Sequence, residues 1–155
     1  DTRAMGRATV KSFDVKSRFV HFEFFRLLKD HEGLGRKGEL IGLEVNMRPS
    51  GGISPDMMNF SQSTDVYKIW ADMIAYDSSL RGIGQTAFCA FAGRRDGKNF
   101  VMSNEDIMHK YGANMKMSGR VADALSGAMG NQMYIANFNI KEEMDAFYND
   151  VLACR

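Results

Sequence analysis

The chain has 155 residues, of which 45% are hydrophobic and 25% charged, values typical of one globular domain or of two small lobes. Its 20 Lys and Arg residues nearly balance its 19 Asp and Glu residues, which leaves a formal net charge of +1. Because it has no run of like charges, and no apolar run near the roughly 20 residues that cross a bilayer, we expect no nucleic-acid or membrane partner and a cytoplasmic location.

The first half of the sequence begins with a predicted helix and two predicted strands. Weak apolar periodicity indicates the helix over residues 3–13, and two apolar runs over residues 19–25 and 40–46 predict the strands. Three glycines within six residues lie between the strands, so we expect a long hairpin loop and not a crossover helix. A loop that is symmetric about its centre places Glu23 opposite Glu44.

A turn-rich loop and a helix are predicted next. Residues 47–52 contain a proline and two glycines, which permit close approach of the backbone to a ligand. Helical spacing and a cap sequence predict a helix over residues 63–75 that buries one face, including Trp70. Asp56 and Asn59 follow this loop and could reach a ligand, but an Asp directly after a proline is also an ordinary turn or cap residue, and both are left out of the candidate site.

The second half alternates short predicted strands and helices. Residues 86–92 and 100–103 are expected to form a hairpin around a charged turn, with Arg94 and Arg95 in solvent. The other predicted elements are a helix over 105–111 capped by Ser103 and Asp106, a strand over 133–138, and a helix over 140–152 capped by Asn139 and Glu142.

These elements predict an α+β fold, with an antiparallel sheet flanked by helices followed by a small α+β subdomain. The best candidate for a boundary lies within residues 76–84. We therefore expect one domain over residues 1–80 and a second over residues 81–155.

Polar side chains are expected to share one face of the first strand pair. Alternation along a strand places Glu44, Asn46 and, if the strand continues, Arg48 on one side, and His21 shares a face with Glu23 in the same way. Facing carboxylates are destabilising without a partner, and a cation would remove that penalty. Carboxylate and amide oxygens suit magnesium, whereas a guanidinium suits phosphate.

Alternative interpretations exist for these and other residues. A Glu-x-Asn-x-Arg string also occurs by chance, and a hydrogen-bonded structural role is favoured for His21. Residues 126–131 are a weak candidate for a phosphate-binding turn because they lack the P-loop lysine. Cys89 and Cys154 lack zinc-site spacing and are expected to be free thiols in a reducing compartment, with one disulfide as the alternative.

Two sequence segments suggest a function for the candidate site. FVHFEFF at residues 19–25 and LEVNMRPSGG at residues 43–52 closely resemble the C-terminal lobe of the ATP-grasp superfamily, especially its carboxylase-like and carbamoyl-phosphate-synthase-like members. The family pattern is an acidic residue on one strand and Glu-x-Asn-x-Arg on the next. The helix over residues 63–75 also resembles the helix that follows in the family, so the resemblance covers about residues 5–76.

The resemblance implies a set of roles. Glu23, Glu44 and Asn46 would be the ligands of Mg²⁺, with Mn²⁺ as an alternative ion, and would thereby bind the ATP cofactor. Arg48 would be the catalytic residue and would also help to bind the cofactor, in contact with phosphate or the acyl substrate. The partners would be ATP and a small carboxylate, which such enzymes activate as an acyl phosphate. The acyl substrate, the nucleophile and the oligomeric state stay open, a homo-oligomer included.

The family's nucleotide-binding lobe, with its lysines and glycine-rich flap, has no counterpart before residue 3. The resemblance therefore predicts an N-terminally truncated ligase or synthase fragment that is inactive by itself. The rival hypothesis is a non-catalytic binding or interaction module with a degenerate ATP-grasp fold.

Overall fold

A computed structural model describes residues 2–155 and shows an α+β fold, as the sequence predicts. The described residues form six helices and five strands, and the strands make two antiparallel sheets. In chain order the elements are α1 (Thr2–Ser12), β1 (His21–Arg26), β2 (Leu40–Asn46), α2 (Ser54–Gln62), α3 (Val66–Tyr76), β3 (Phe88–Arg94), α4 (Asn104–Tyr111), β4 (Met115–Arg120), α5 (Asp123–Met129), β5 (Gln132–Phe138) and α6 (Lys141–Leu152). Every helix within residues 2–155 is too short or too polar to span a bilayer.

The chain divides into two compact units that are not continuous in sequence. The first unit comprises Asp1–Pro55 and Val66–Leu80, and the second comprises Asp56–Asp65 and Arg81–Arg155. The chain therefore passes between the units three times, and the last passage falls between residues 80 and 81.

In the first unit, β1 and β2 form the expected antiparallel hairpin. The register pairs Glu23 with Glu44 and His21 with Asn46, which confirms the predicted opposition of the two glutamates. A bulge follows Glu23, because Phe24 pairs with Gly42 and one residue of β2 is left over.

Helix α3 also forms where the sequence predicts a helix, but its burial differs from the prediction. Val66 is its one buried residue at 4% exposure, and Trp70 is 37% exposed, so the expected burial of Trp70 is wrong. Val66 and the half-buried Ile69 lie on the inner stripe of the helix. The indole is large and is only partly covered beside this stripe.

The second unit is built on the three-stranded sheet β3-β5-β4, in which β5 lies at the centre. Helices α4 and α6 contribute to the core that packs on this sheet. Edge-to-face contacts of Tyr111 with Phe138 and Phe147, at centroid distances of 6.2 and 5.2 Å, lie within that core. The predicted capping box of α4 is confirmed, because Ser103 and Asp106 exchange hydrogen bonds between side chain and backbone.

The predicted hairpin of residues 86–92 and 100–103 is wrong. β3 pairs along its whole length with β5, and Phe100 makes only an isolated bridge with Cys154. Long-range pairing with the central strand buries alternate residues of β3, which a local hairpin would leave half covered. The N-cap of α6 is Ile140 without a side-chain hydrogen bond, so the expected cap by Asn139 is also wrong.

Three elements lie outside the sequence predictions. They are α2, β4 and α5. Asp56 lies in the first turn of α2, directly after Pro55, and not in an isolated turn. Proline is favoured at the start of a helix because its missing N–H is not needed there.

The junction of α5 and β5 packs closely against the end of β3. A Cβ atom on Gly93 would lie 2.0 Å from the carbonyl oxygen of Met129, and one on Gly130 would lie 2.8 Å from that of Arg94. Gly130 also has a φ of 85°, which favours glycine. The N–H of Asn131 donates to the carbonyl oxygen of Arg94 over 2.7 Å. Both glycines are therefore required by the approach of two backbones.

Candidate functional site

The candidate site is the polar face of the β1–β2 hairpin, formed by His21, Glu23, Glu44 and Asn46. These residues are two directly opposed pairs, and their side chains project to one side because they alternate with apolar neighbours on each strand. Nε2 of His21 lies 3.3 Å from Oε1 of Glu23. The strand pairing therefore places two carboxylates, one imidazole and one amide on the same face of the hairpin.

Two nitrogen atoms of this polar face are buried. Nδ1 of His21 and Nδ2 of Asn46 have no hydrogen-bond partner among the described residues. Leaving such a group unsatisfied typically costs about 1–3 kcal/mol. The face therefore has polar groups that the fold itself does not use, next to two carboxylates.

Arg48 lies outside the strand. β2 ends at Asn46, and Arg48 follows in a bend where its Nη1 donates to the carbonyl oxygen of Pro49 over 2.9 Å. The strand does not continue far enough for alternation to aim this side chain, so the expected shared face with Glu44 does not extend to it. Its guanidinium is exposed and close in sequence to the glycine loop.

The chemistry of the donors fits a hard divalent cation. No cluster of three or more His, Cys, Asp or Glu side chains suited to a metal ion occurs within residues 2–155. The candidate set is instead two carboxylates and one amide, and magnesium commonly takes only one or two protein carboxylates and completes its shell with water and phosphate oxygens. Glu44 makes no ion pair among the described residues, so its charge is available to a cation.

The loop after β2 has the conformation expected of a glycine turn. Gly52 has a φ of 63°, and a Cβ atom added to Gly51 or Gly52 would meet open space. The glycine at position 52 is thus explained by backbone conformation, and the loop leads directly into α2.

Arg94 departs most from its predicted environment. It is 6% exposed and not in solvent, while Arg95 is exposed as expected. Nε of Arg94 donates to the carbonyl oxygen of Val151 over 2.7 Å, Nη1 donates to that of Met102 over 2.8 Å, and the guanidinium lies 4.3 Å from the ring centroid of Phe100. Burial lowers the pKa of this guanidinium, and nearby Tyr134 partly counteracts the effect. Arg94 is a structural cation.

The weak candidate for a phosphate-binding turn is not supported. Residues 126–129 belong to α5, and Nη2 of Arg95 donates to the carbonyl oxygen of Gly127 over 2.6 Å. This end of the helix presents carbonyl acceptors, which do not bind phosphate.

Both cysteines are free, as expected. Burial raises the pKa of the Cys89 thiol to about 11, and the positive charge of Lys116 only partly opposes this shift. A thiol with this pKa is protonated near neutral pH and is a poor nucleophile.

No protein-family model matches the chain, and no curated protein or solved structure shows significant similarity to it.

Proposed function

We propose that this chain is part of a cytoplasmic, ATP- and magnesium-dependent ligase or synthase of the ATP-grasp type, which activates a carboxylate as an acyl phosphate. The observation that carries the proposal is the register that sets Glu23 opposite Glu44 with Asn46 on the same face. The resemblance of residues 19–25 and 43–52 to the C-terminal lobe of that superfamily gives this face its proposed role.

Each residue of the polar face has a part in this proposal. Glu23, Glu44 and Asn46 would hold magnesium, and a bound magnesium ion would supply positive charge next to the transferred phosphoryl group. Arg48 binds a phosphate or substrate oxygen, and because its guanidinium is exposed and, within the described part of the chain, held only by a hydrogen bond to the carbonyl oxygen of Pro49, it can turn toward a ligand. A substrate carboxylate oxygen then displaces ADP from the γ-phosphorus and forms the acyl phosphate, so the main task of these residues is to position charge.

The rival candidate is a non-catalytic binding or interaction module. Such a module has no use for two facing carboxylates, which repel each other and would be more stable with one charge removed. The retained pair in the β1–β2 hairpin therefore favours the ligase.

Binding of Mn²⁺ to the full chain, followed by electron paramagnetic resonance, tests the site. We expect saturable binding that weakens at least about tenfold in Glu44→Gln, because one of the few charged ligands is lost. The matched control is Glu32→Gln, which removes an exposed carboxylate in the hairpin loop and should leave binding unchanged.

Absence of saturable binding, or equal binding by Glu44→Gln and the wild-type chain, would exclude the proposed ligand set and favour the interaction module. In the complete enzyme, Glu44→Gln should abolish magnesium-dependent ATP turnover without unfolding the protein. Full activity of that variant would equally exclude the assignment.

A further inference from the structure

A second polar site lies within the second unit. A cavity of about 280 Å³ opens between the C-terminal end of α2, the segment before β3, and the adjacent ends of β4 and β5. Its polar lining consists of Ser63, Gln85, Asn114, Lys116, Asn137 and Asn139. No Asp or Glu is among the described residues that line it. The lining thus combines one cation with several amides.

Hydrogen bonds fix the walls of this cavity. The N–H of Asn137 donates to the carbonyl oxygen of Asn114 over 2.9 Å, and Nδ2 of Asn114 returns a bond of 2.9 Å to the carbonyl oxygen of Asn137. On the opposite wall, the hydroxyl of Ser63 donates to the carbonyl oxygen of Gln85 over 2.9 Å. The site is therefore preorganised, which reduces the entropy that a ligand must overcome.

Asn137 contributes an acceptor with a fixed identity. Its side-chain nitrogen donates to the carbonyl oxygen of Phe60 over 2.6 Å, so the other amide atom must be the oxygen. That oxygen is buried and has no hydrogen-bond partner among the described residues. A buried acceptor of this kind is stabilised by a donor from a water molecule or from a ligand.

Lys116 contributes a positive charge to the cavity. It is exposed and makes no ion pair among the described residues, and its charge lowers the pKa of the half-buried thiol of Cys89, on the far side of the central strand β5. In register, Cys89 lies opposite Asn137. The cation and the buried acceptor therefore occupy one neighbourhood, where an anionic group would be attracted and a donor group would be used.

We propose that this cavity binds a small organic anion that also carries an O–H or N–H donor, namely a hydroxy- or amino-carboxylate. Its carboxylate pairs with Lys116 and accepts from the side-chain amides of Gln85 and Asn139, since those of Asn114 and Asn137 already donate to carbonyl oxygens, and its donor group satisfies Oδ1 of Asn137. The volume is just below the roughly 300–1,000 Å³ of sites for drug-sized ligands, so it suits a small metabolite. The polar face of the β1–β2 hairpin plays no part in this binding.

The test is a titration of the full ¹⁵N-labelled chain with glycolate, acetate and glycolamide, followed by amide chemical shifts in buffer with a metal chelator. Glycolate carries both groups, acetate lacks the donor, and glycolamide lacks the charge. We expect saturable shifts for glycolate at the cavity-lining residues, and a dissociation constant at least about fivefold larger for each of the other two probes, corresponding to the loss of one interaction.

Lys116→Met should weaken glycolate binding at least about fivefold, because the stem is kept while the charge is lost. Lys98→Met is the matched control, since Lys98 lies in the turn after β3 and does not line the cavity. The proposal would be overturned if the glycolate-induced shifts do not saturate, map to other residues, or are unaffected by Lys116→Met. In that case a water molecule is the donor to Oδ1 of Asn137. The chelator keeps this outcome independent of the proposed magnesium site.

Discussion

Glu23 and Glu44 are direct partners in the β1–β2 hairpin, at the last pair before the bulge. Opposed side chains in an antiparallel pair have Cβ atoms about 4.5–5.5 Å apart, so two carboxylates there repel each other. Nε2 of His21 lies 3.3 Å from Oε1 of Glu23. Among the described residues, His21 forms no ion pair with Glu44. We therefore expect a small local electrostatic penalty in the hairpin in the absence of a cation.

Removal of one charge from this pair should stabilise the metal-free chain. We expect Glu44→Gln to raise the free energy of unfolding by about 0.5 kcal/mol, within the range measured for cross-strand pairs. Urea denaturation in the presence of a chelator measures the change. Glu32→Gln should shift the value much less, and a destabilised Glu44→Gln would mean that the carboxylate makes a favourable contact in the free chain.

Two glycines of the α5 region should respond in opposite directions to alanine. Gly130→Ala should lower the free energy of unfolding by about 1–3 kcal/mol, because Gly130 has a positive φ and its Cβ would meet the backbone of Arg94. Gly127 lies within α5 with open space around it, so Gly127→Ala should raise stability by about 0.5–1 kcal/mol. Chemical denaturation of the pair measures both values, and equal effects would contradict the described junction.

The buried guanidinium of Arg94 should be important for stability. Arg94→Met keeps the length of the stem but removes the two hydrogen bonds to Met102 and Val151, so we expect a loss of about 2–4 kcal/mol. Thermal and urea unfolding measure this loss. The control Lys98→Met changes an exposed side chain and should stay within about 0.5 kcal/mol. A similarly mild effect of Arg94→Met would show that the guanidinium is solvated.

The two thiols should differ in their reaction with iodoacetamide. Because the pKa of Cys89 is raised to about 11, roughly a thousandth of this thiol is ionised at about pH 8, and its alkylation should accelerate as the pH rises toward that pKa. Cys154 is exposed and should be modified first. Mass spectrometry of the Cys154→Ser variant isolates the slow phase, and rapid labelling of that variant would contradict the raised pKa of the half-buried Cys89.

Local sequence patterns predict the parts of this fold that depend on local structure. The loop between the first strands has enough symmetry to predict the pairing of Glu23 with Glu44, and the Ser103–Asp106 spacing predicts the cap of α4. Both features depend only on contacts within a few residues or on the geometry of one loop. The candidate hairpin face could therefore be predicted, whereas the end of β2 before Arg48 could not, because strand ends depend on pairing.

Features that depend on distant partners were not predictable in the same way. β4 consists of Met115–Arg120, lacks β-branched residues, and becomes a strand through its pairing with β5. By sequence, Arg94 belongs to a charged turn. In the structure it is the last residue of β3, and its side chain donates hydrogen bonds to the carbonyl oxygens of Met102 and Val151. The acceptor of Asn137 is likewise visible only once β5 lies beside the end of α2. Tertiary contacts determine all three features: the strand β4, the burial of Arg94 and the buried acceptor of Asn137.

The discontinuous composition of the second unit has an evolutionary consequence. Residues 56–65 belong to that unit although the first unit resumes after them. A recombination event that exchanged only the segment from Arg81 onward would leave behind the carbonyl oxygen of Phe60, which receives the side chain of Asn137. The two units are therefore expected to have been inherited together and not to have been shuffled as interchangeable modules.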